Sequence, residues 1–438
     1  MTTATEERQL GFWMCTALVI GNTIGMGIFI LPASLAPYGF NASIGWVITV
    51  AGCLLIALVF ARLARMMPRA NGPYDYIRHE LGELPAFMAM WCYWVSLWIT
   101  NAAIATGVVG YLRELLPGLK ALPATGIALV LLWIFVAINL TGTRSGGRLQ
   151  IITTLLKLLP MLAVILLGGW LLGTTPAVYS AHPPANPISF SQILPASTIA
   201  LFAMLGVESA AVPAARVRDA ERIIPRATLA GTVIVALVYL LISTVPMLLI
   251  PQTTLAQSSA PFALLLDRFM GEGNGRWLSI FIVVSGLGAL NGWTLLVGEL
   301  TRSMALRGAL PRSWSVLNNQ AAPGRALLLT GVLASGMIWL TYSESLVAGF
   351  TFITSVVTAA NLPLYLCCSA ALYLQWRRGH VGEFRDLGWI SYLGMAYVIF
   401  AFYGLGREPF FLGLLLAAAG LPLYGWMRLQ RRPPTPTL

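Results

Sequence analysis

The sequence is poor in charge. Of its 438 residues 16 are Asp or Glu and 27 are Lys or Arg, so 10% are charged; a soluble domain carries roughly a quarter. Histidine is scarcer still. His79, His182 and His380 are the only three, all in expected loops, so no His-based metal cluster is expected. No HExxH, nucleophile elbow or P-loop occurs, which removes the common signatures of zinc hydrolases, α/β-hydrolases and ATP-driven transporters. Neither a metal nor a cofactor is expected. The five cysteines, Cys15, Cys53, Cys92, Cys367 and Cys368, are odd in number and sit in apolar runs, so they form no disulfide framework. The start, "MTTATEERQL", has two acidic residues before its first basic one and no small-residue cleavage site; it reads as an uncleaved cytoplasmic start.

What remains is apolar. Hydrophobic residues make up 58% of the chain, and residues 9 to 61 carry no charged side chain. That is enough for two bilayer passages at about 20 residues each. Apolar runs of spanning length fall at 11–37, 42–61, 85–112, 122–142, 149–173, 190–213, 227–250, 277–305, 326–342, 347–374, 388–406 and 409–427. With both ends on one side, the connecting loops divide their basic residues 21 to five, and Lys157 alone is left inside a span. The positive-inside rule puts the basic side and both termini in the cytoplasm. The net charge of +11 is therefore topological, and nucleic acid is not an expected partner; membrane lipid is. Twelve spans make one integral domain over residues 1–438, with a short surface helix expected in the far-side loop at 251–269 and a small re-entrant or interfacial element at 71–83.

The first span reads "VIGNTIGMGIFILPA", with Gly21, Gly25 and Gly27 within seven residues and Pro32 after them. Each mid-helix glycine costs about 1 kcal/mol relative to alanine. Close helix packing would explain one glycine; this density predicts a break. The sixth span, "STIALFAMLGVESAAVPAA", places Gly206, Glu208 and Pro213 in an apolar run. Irregular helices in spans 1 and 6 predict two inverted five-helix repeats, about 11–174 and 190–374, with the helices at 388–427 outside them and a binding site where the breaks meet. A break exposes N–H groups around Met26, Gly27 and Ile28, which suit a carboxylate. It also exposes carbonyls near Gly21, Asn22, Phe202 and Ala203, which suit an ammonium. Opposite poles close together fit a free α-amino acid.

"GNTIGMGIFILPASLA", "GPYDY", "LFAMLGVES" and "NGWTLLVG" resemble the amino acid–polyamine–organocation transporters over nearly the whole chain. The likeness is strongest to bacterial arginine/agmatine, lysine/cadaverine and putrescine/ornithine antiporters. It implies an all-α fold of twelve transmembrane helices with broken helices 1 and 6, alternating access, and often a homodimer in the bacterial inner membrane. It also implies a substrate site drawn from Asn22, Thr23, Ile24, Gly25, Met26 and Gly27; from Tyr93, Ser96, Leu97, Asn101 and Ile104 on span 3; from Phe202, Ala203 and Leu205; and from Trp293 and Val356.

Several of these have plainer alternatives. Met26 stands where the antiporters have a serine hydroxyl. Phe202 replaces a tryptophan and is a weaker cation–π partner. The resemblance makes Asn101 a contact to the distal cationic group, although a partner helix could satisfy it equally. Trp293 is either core packing or a middle gate over the substrate. An acidic residue in a span is functional by default; the resemblance implies for Glu208 a role in proton-sensitive gating or substrate release, with a structural carboxylate pinning the broken helix as the alternative. Lys157, about 12 Å along span 5 from Leu149 at 1.5 Å per residue, either snorkels to the headgroups or lies beside the break and couples transport to protons. Glu299 and Arg302 are expected to form a local i, i+3 pair. The expected function is exchange of cationic amino acids and their decarboxylated amines, without chemical change. The alternative is a proton-linked permease or exchanger for neutral amino acids, favoured by Phe202, Met26, Lys157 and an apolar span 10.

Overall fold

The computed structural model describes residues 11–67, 70, 72–141, 146–184, 186–206, 219–379 and 387–430. Among them every regular element is helical. A backbone in hydrocarbon must satisfy its own N–H and C=O groups, and helices do so within one segment. In chain order the helices are α1 (Phe12–Thr23), α2 (Gly27–Leu35), α3 (Phe40–Met66), α4 (Pro73–Leu81), α5 (Glu83–Leu115) and α6 (Ala124–Leu140). There follow α7 (Gly146–Thr174), α8 (Phe190–Leu201), α9 (Ala220–Leu249), α10 (Gln252–Gln257), α11 (Pro261–Met270) and α12 (Asn274–Leu306). The chain closes with α13 (Gly324–Leu340), α14 (Leu346–Arg377), α15 (Leu387–Gly404), α16 (Arg407–Ala418) and α17 (Gly420–Gln430). Seven stretches are long and apolar enough to cross a membrane: α3, α5, most of α7 and α9, α12, α14, and α16 with α17. Shorter apolar helices account for α1, α2, α6, α8, α13 and α15.

The centre of the bundle is α5. Of its most apolar stretch 94% is buried, against 17% for α16 and α17. It runs along α14 and α12, while α3 packs on α8 and α9. The last expected span, 409–427, is interrupted at Ala419. Pro422 explains this: it donates no N–H, and its ring crowds the carbonyl four residues back, at Ala418.

The loops at the two ends differ. At one end α10 and α11 pack against α2, so the expected surface helix is a pair. There the Tyr111 hydroxyl donates to Phe29 O at 2.6 Å and accepts from the Phe262 N–H at 3.4 Å. This ties α5, α2 and α11 into a cap. At the other end α4 hangs between Gly72 and Gly82, both at positive φ (109° and 93°), where a β-carbon would be strained. His79, expected in a loop, lies in this helix. Glu80 is buried and accepts from Arg378 Nη1 at 2.8 Å, with His79 Nδ1 also at 2.8 Å. That pair ties α4 to the end of α14. Arg378 is half exposed and is hydrated once its partner is gone, so we expect Glu80→Ala to cost about 1–2 kcal/mol, the worth of a hydrogen bond to a charged group discounted for that exposure. Glu114→Ala, which breaks an exposed pair with Lys120 at 3.0 Å, should cost at most ~1 kcal/mol. Thermal unfolding of both variants in detergent checks the contrast.

Candidate functional site

The first break is where glycine density placed it. α1 ends at Thr23, and Ile24 turns extended (φ −73°, ψ 91°). Its N–H still reaches Ile20 O at 2.9 Å. α2 starts at Gly27 with Met26 before it and no side-chain cap. None of the described residues accepts a hydrogen bond from the N–H groups of Met26, Gly27 or Ile28, which leaves the positive end of α2 unpaired. At the other lip two carbonyls are engaged. Tyr239 Oη on α9 donates to Thr23 O at 3.0 Å, and Lys157 Nζ on α7 donates to Gly21 O at 3.4 Å.

Lys157 is 3% exposed. Of the two sequence alternatives, the structure selects the buried one: the ammonium lies at the carbonyl end of α1, whose dipole favours a cation. No described carboxylate pairs with it.

The second break begins at Leu201. A 3₁₀ turn over Phe202–Met204 follows, then Leu205 is extended and Gly206 takes φ 105°. Glu208 and the rest of this stretch lie outside the described residues, as does the Asn22 side chain.

Between the breaks is a partly open cavity of about 40 Å³. The space is lined by Thr23, Gly25, Met26 and Gly27, by Tyr93, Ser96, Leu97 and Ile104 of α5, by Phe202, Ala203 and Leu205, and by Trp293 of α12. Twelve of the expected site residues are thus brought together. Ile24, Asn101 and Val356 are buried but do not line it. A helix turns 100° per residue, so Thr100 and Val357 face the cavity where their neighbours Asn101 and Val356 do not. Sequence reasoning missed both, together with Tyr239 and Asn361, whereas Ile28 and Gly206, which also line the cavity, are expected from the N–H groups and the second break. Two carried a readable signal: a phenol or a carboxamide within a span needs a hydrogen-bond partner.

The glycines differ in what they do. A β-carbon on Gly25 would meet nothing within 4 Å, whereas one on Gly27 would stand 2.5 Å from Phe202 Cε1. Gly27 thus lets the Phe202 ring lie over the start of α2, and that ring meets Phe350 edge to face at 6.1 Å. Met26 is 1% exposed. Its thioether is turned into the seam between α5 and α12, where β-carbons on Gly107 and Gly286 would meet its Cγ and Sδ at 2.9 and 3.0 Å. The bulk at this position is therefore largely taken up by helix packing. Near the far end of α12, Glu299 Oε2 and Arg302 Nη1 are 3.8 Å apart, the local pair expected.

None of the described residues lining the cavity is charged. Unpaired N–H groups, carbonyl ends, an aromatic ring and small hydroxyls are what it offers a zwitterion.

Comparison with known proteins agrees. An amino acid permease family model matches residues 10–414. The chain is 29% identical over 423 residues to the putrescine transporter PotE of Escherichia coli (strain K12), covering 96% of each protein. It is 28% identical over 426 residues to PotE of Haemophilus influenzae, covering 96% of this chain and 98% of that one. To the cadaverine/lysine antiporter of Escherichia coli it is 32% identical over 344 residues, covering 78% of this chain and 77% of that one. With a family match over nearly its whole length and a broken first helix facing an uncharged cavity, the chain belongs to the amino acid permease family.

Proposed function

We propose that this protein is a secondary exchanger of cationic amino acids and their decarboxylated amines, working by alternating access in the bacterial inner membrane. The observation that carries this reading is the cavity between the two breaks, with a donor end at Met26, Gly27 and Ile28 and a carbonyl end opposite. The N–H groups receive the α-carboxylate. The carbonyls of Asn22, Phe202 and Ala203 receive the α-ammonium; that of Phe202 also accepts from the Leu205 N–H and that of Gly21 is shared with Lys157, since each carbonyl oxygen has two lone pairs. A decarboxylated amine binds without the first contact, which fits counterflow of the two forms. The relatives named above are a putrescine transporter and a cadaverine/lysine antiporter. They favour cationic substrates over the neutral amino acids that Phe202 and Met26 suggested, and the buried thioether of Met26 removes part of that case.

In this reading the chain is one transport domain of twelve spans, two inverted repeats at about 11–174 and 190–374 followed by helices at 388–427. Both termini face the cytoplasm, and α4 with its Glu80–Arg378 tie is on that side. Trp293 acts as middle gate, and Glu208 and Lys157 serve gating and proton coupling. The substrate crosses unchanged.

The test is counterflow. Proteoliposomes preloaded with arginine, lysine, ornithine or putrescine are given labelled substrate at pH 5 and pH 7, with agmatine, cadaverine, alanine and leucine as competitors. Exchange blocked by the amines and not by alanine or leucine supports the proposal. Flux of neutral amino acids alone would overturn it.

A further inference from the structure

One acceptor in the cavity has nothing to accept. Asn361 of α14 lines the space and is 3% exposed. Its Nδ2 makes a long contact of 3.4 Å to Ser96 Oγ, and its Oδ1 is buried with no hydrogen-bond partner. Leaving such an atom unpaired is costly. Thr23 Oγ1, at the break, is also unpaired, but a hydroxyl can donate or accept, whereas an amide oxygen only accepts.

The neighbours of Asn361 sharpen this. Ser96 Oγ donates to Tyr93 O at 2.7 Å, and Thr100 Oγ1 donates to Ser96 O at 2.8 Å. Both hydroxyl protons are committed along α5, so both oxygens turn only lone pairs toward the cavity. One of the two Asn361 Nδ2 hydrogens is directed at Ser96. Acceptors therefore outnumber donors on this wall, where the second Asn361 amide hydrogen is the one donor left among these three side chains, and no described lining residue is charged. A carboxylate or carbonyl placed here would leave Oδ1 unpaired and face the Ser96 and Thr100 lone pairs, an apolar tip would also leave Oδ1 unpaired, and an ammonium would satisfy it.

We infer that Asn361 determines specificity at the end of the cavity away from the helix break, its Oδ1 accepting a hydrogen bond from the distal ammonium of the substrate beside Ser96 and Thr100. This rests on the exchanger reading above and adds the residue that makes the site demand a donor at that end. A site built to hydrogen-bond a substrate group rejects the analogue that lacks it far more strongly than an apolar pocket rejects an added group.

The test uses full-length protein in liposomes, with lysine and norleucine as competitors for labelled lysine exchange; the two differ by the terminal ammonium. In Asn361→Leu, nearly isosteric, half-saturation for lysine should rise roughly ten- to hundredfold, as for loss of a hydrogen bond to a charged group, while norleucine competes as well as before or better. Asn361→Asp keeps an acceptor and should hold or tighten lysine. An unchanged lysine-to-norleucine ratio in Asn361→Leu overturns the inference even if overall rates fall. If the leucine variant does not fold, weaker lysine binding by Asn361→Asp overturns it instead, and tighter binding supports it. Should the wild type move no cationic substrate, the exchanger reading fails and takes this inference with it; wild-type lysine exchange with an unchanged ratio defeats the inference alone.

Discussion

Gly27→Val is expected to abolish exchange while the protein still reaches the membrane. The first atom added at Gly27 would lie 2.5 Å from Phe202 Cε1 and 2.9 Å from Cδ1. The ring already meets Phe350 edge to face at 87°, so it has to swing into the cavity between the two breaks. The alternative is a shift of the α2 N-terminus, which moves the unpaired N–H groups off their geometry. Overpacking of this kind costs about 1–3 kcal/mol, too little to unfold a large bundle. A displacement near 1 Å at a binding group is nevertheless worth on the order of a hundredfold in rate. Gly25→Ala is the control, because its added carbon meets nothing within 4 Å. It should leave the melting temperature unchanged and alter only apparent affinity. Counterflow rates and thermal unfolding in detergent separate the two variants. Equal losses in both would refute the role given to the Gly27–Phe202 contact.

Lys157→Met carries the second large effect. Met has nearly the length of Lys, so packing is kept while the ammonium is lost. Gly21 O then loses the donor at 3.4 Å, and the carbonyl end of α1 loses the cation that faces it. An unpaired buried acceptor costs about 1–3 kcal/mol, which falls on the tie between α7 and the broken helix. Exchange should drop roughly ten- to hundredfold on that basis, with a lower melting temperature. Lys157→Arg, which keeps a donor and the charge, should restore part of both. Wild-type exchange and melting in Lys157→Met would show that the contact is incidental.

Different residues were legible in the sequence for different reasons. The break at Gly21–Gly27 announces itself because backbone propensity is local: glycines this dense, with β-branched Thr23 and Ile24 between them, weaken a helix whatever surrounds it. The stop at Ala419 was equally local, through Pro422, and was overlooked. The cavity face of α5 was legible to within one residue. Ser96, Leu97 and Ile104 line the space as expected, but Thr100 takes the place beside them and Asn101 does not line it.

Other features depended on partners far away in the chain. Met26 is a packing side chain because Gly107 and Gly286, on two other helices, leave room for it. No local pattern links those three positions. The buried state of Lys157 was one of two open alternatives, since a helix alone does not say which of its faces meets Gly21. Asn361 was missed outright: a carboxamide in an apolar run signals a need for a partner, and only the approach of α14 to α5 shows that Ser96 supplies half of it.

By itself, then, the sequence determined that this chain is helical, apolar enough to live in a membrane, and interrupted in its first span, because charge content, hydrophobic run length and glycine density act locally. The tertiary structure decided which polar groups are satisfied and which are left for a ligand. Hydrogen-bond satisfaction of a buried group is a property of the contact between helices: the N–H groups at Gly27 could be expected from the break, but that the oxygen of Asn361 goes unpaired appears only once the helices are packed.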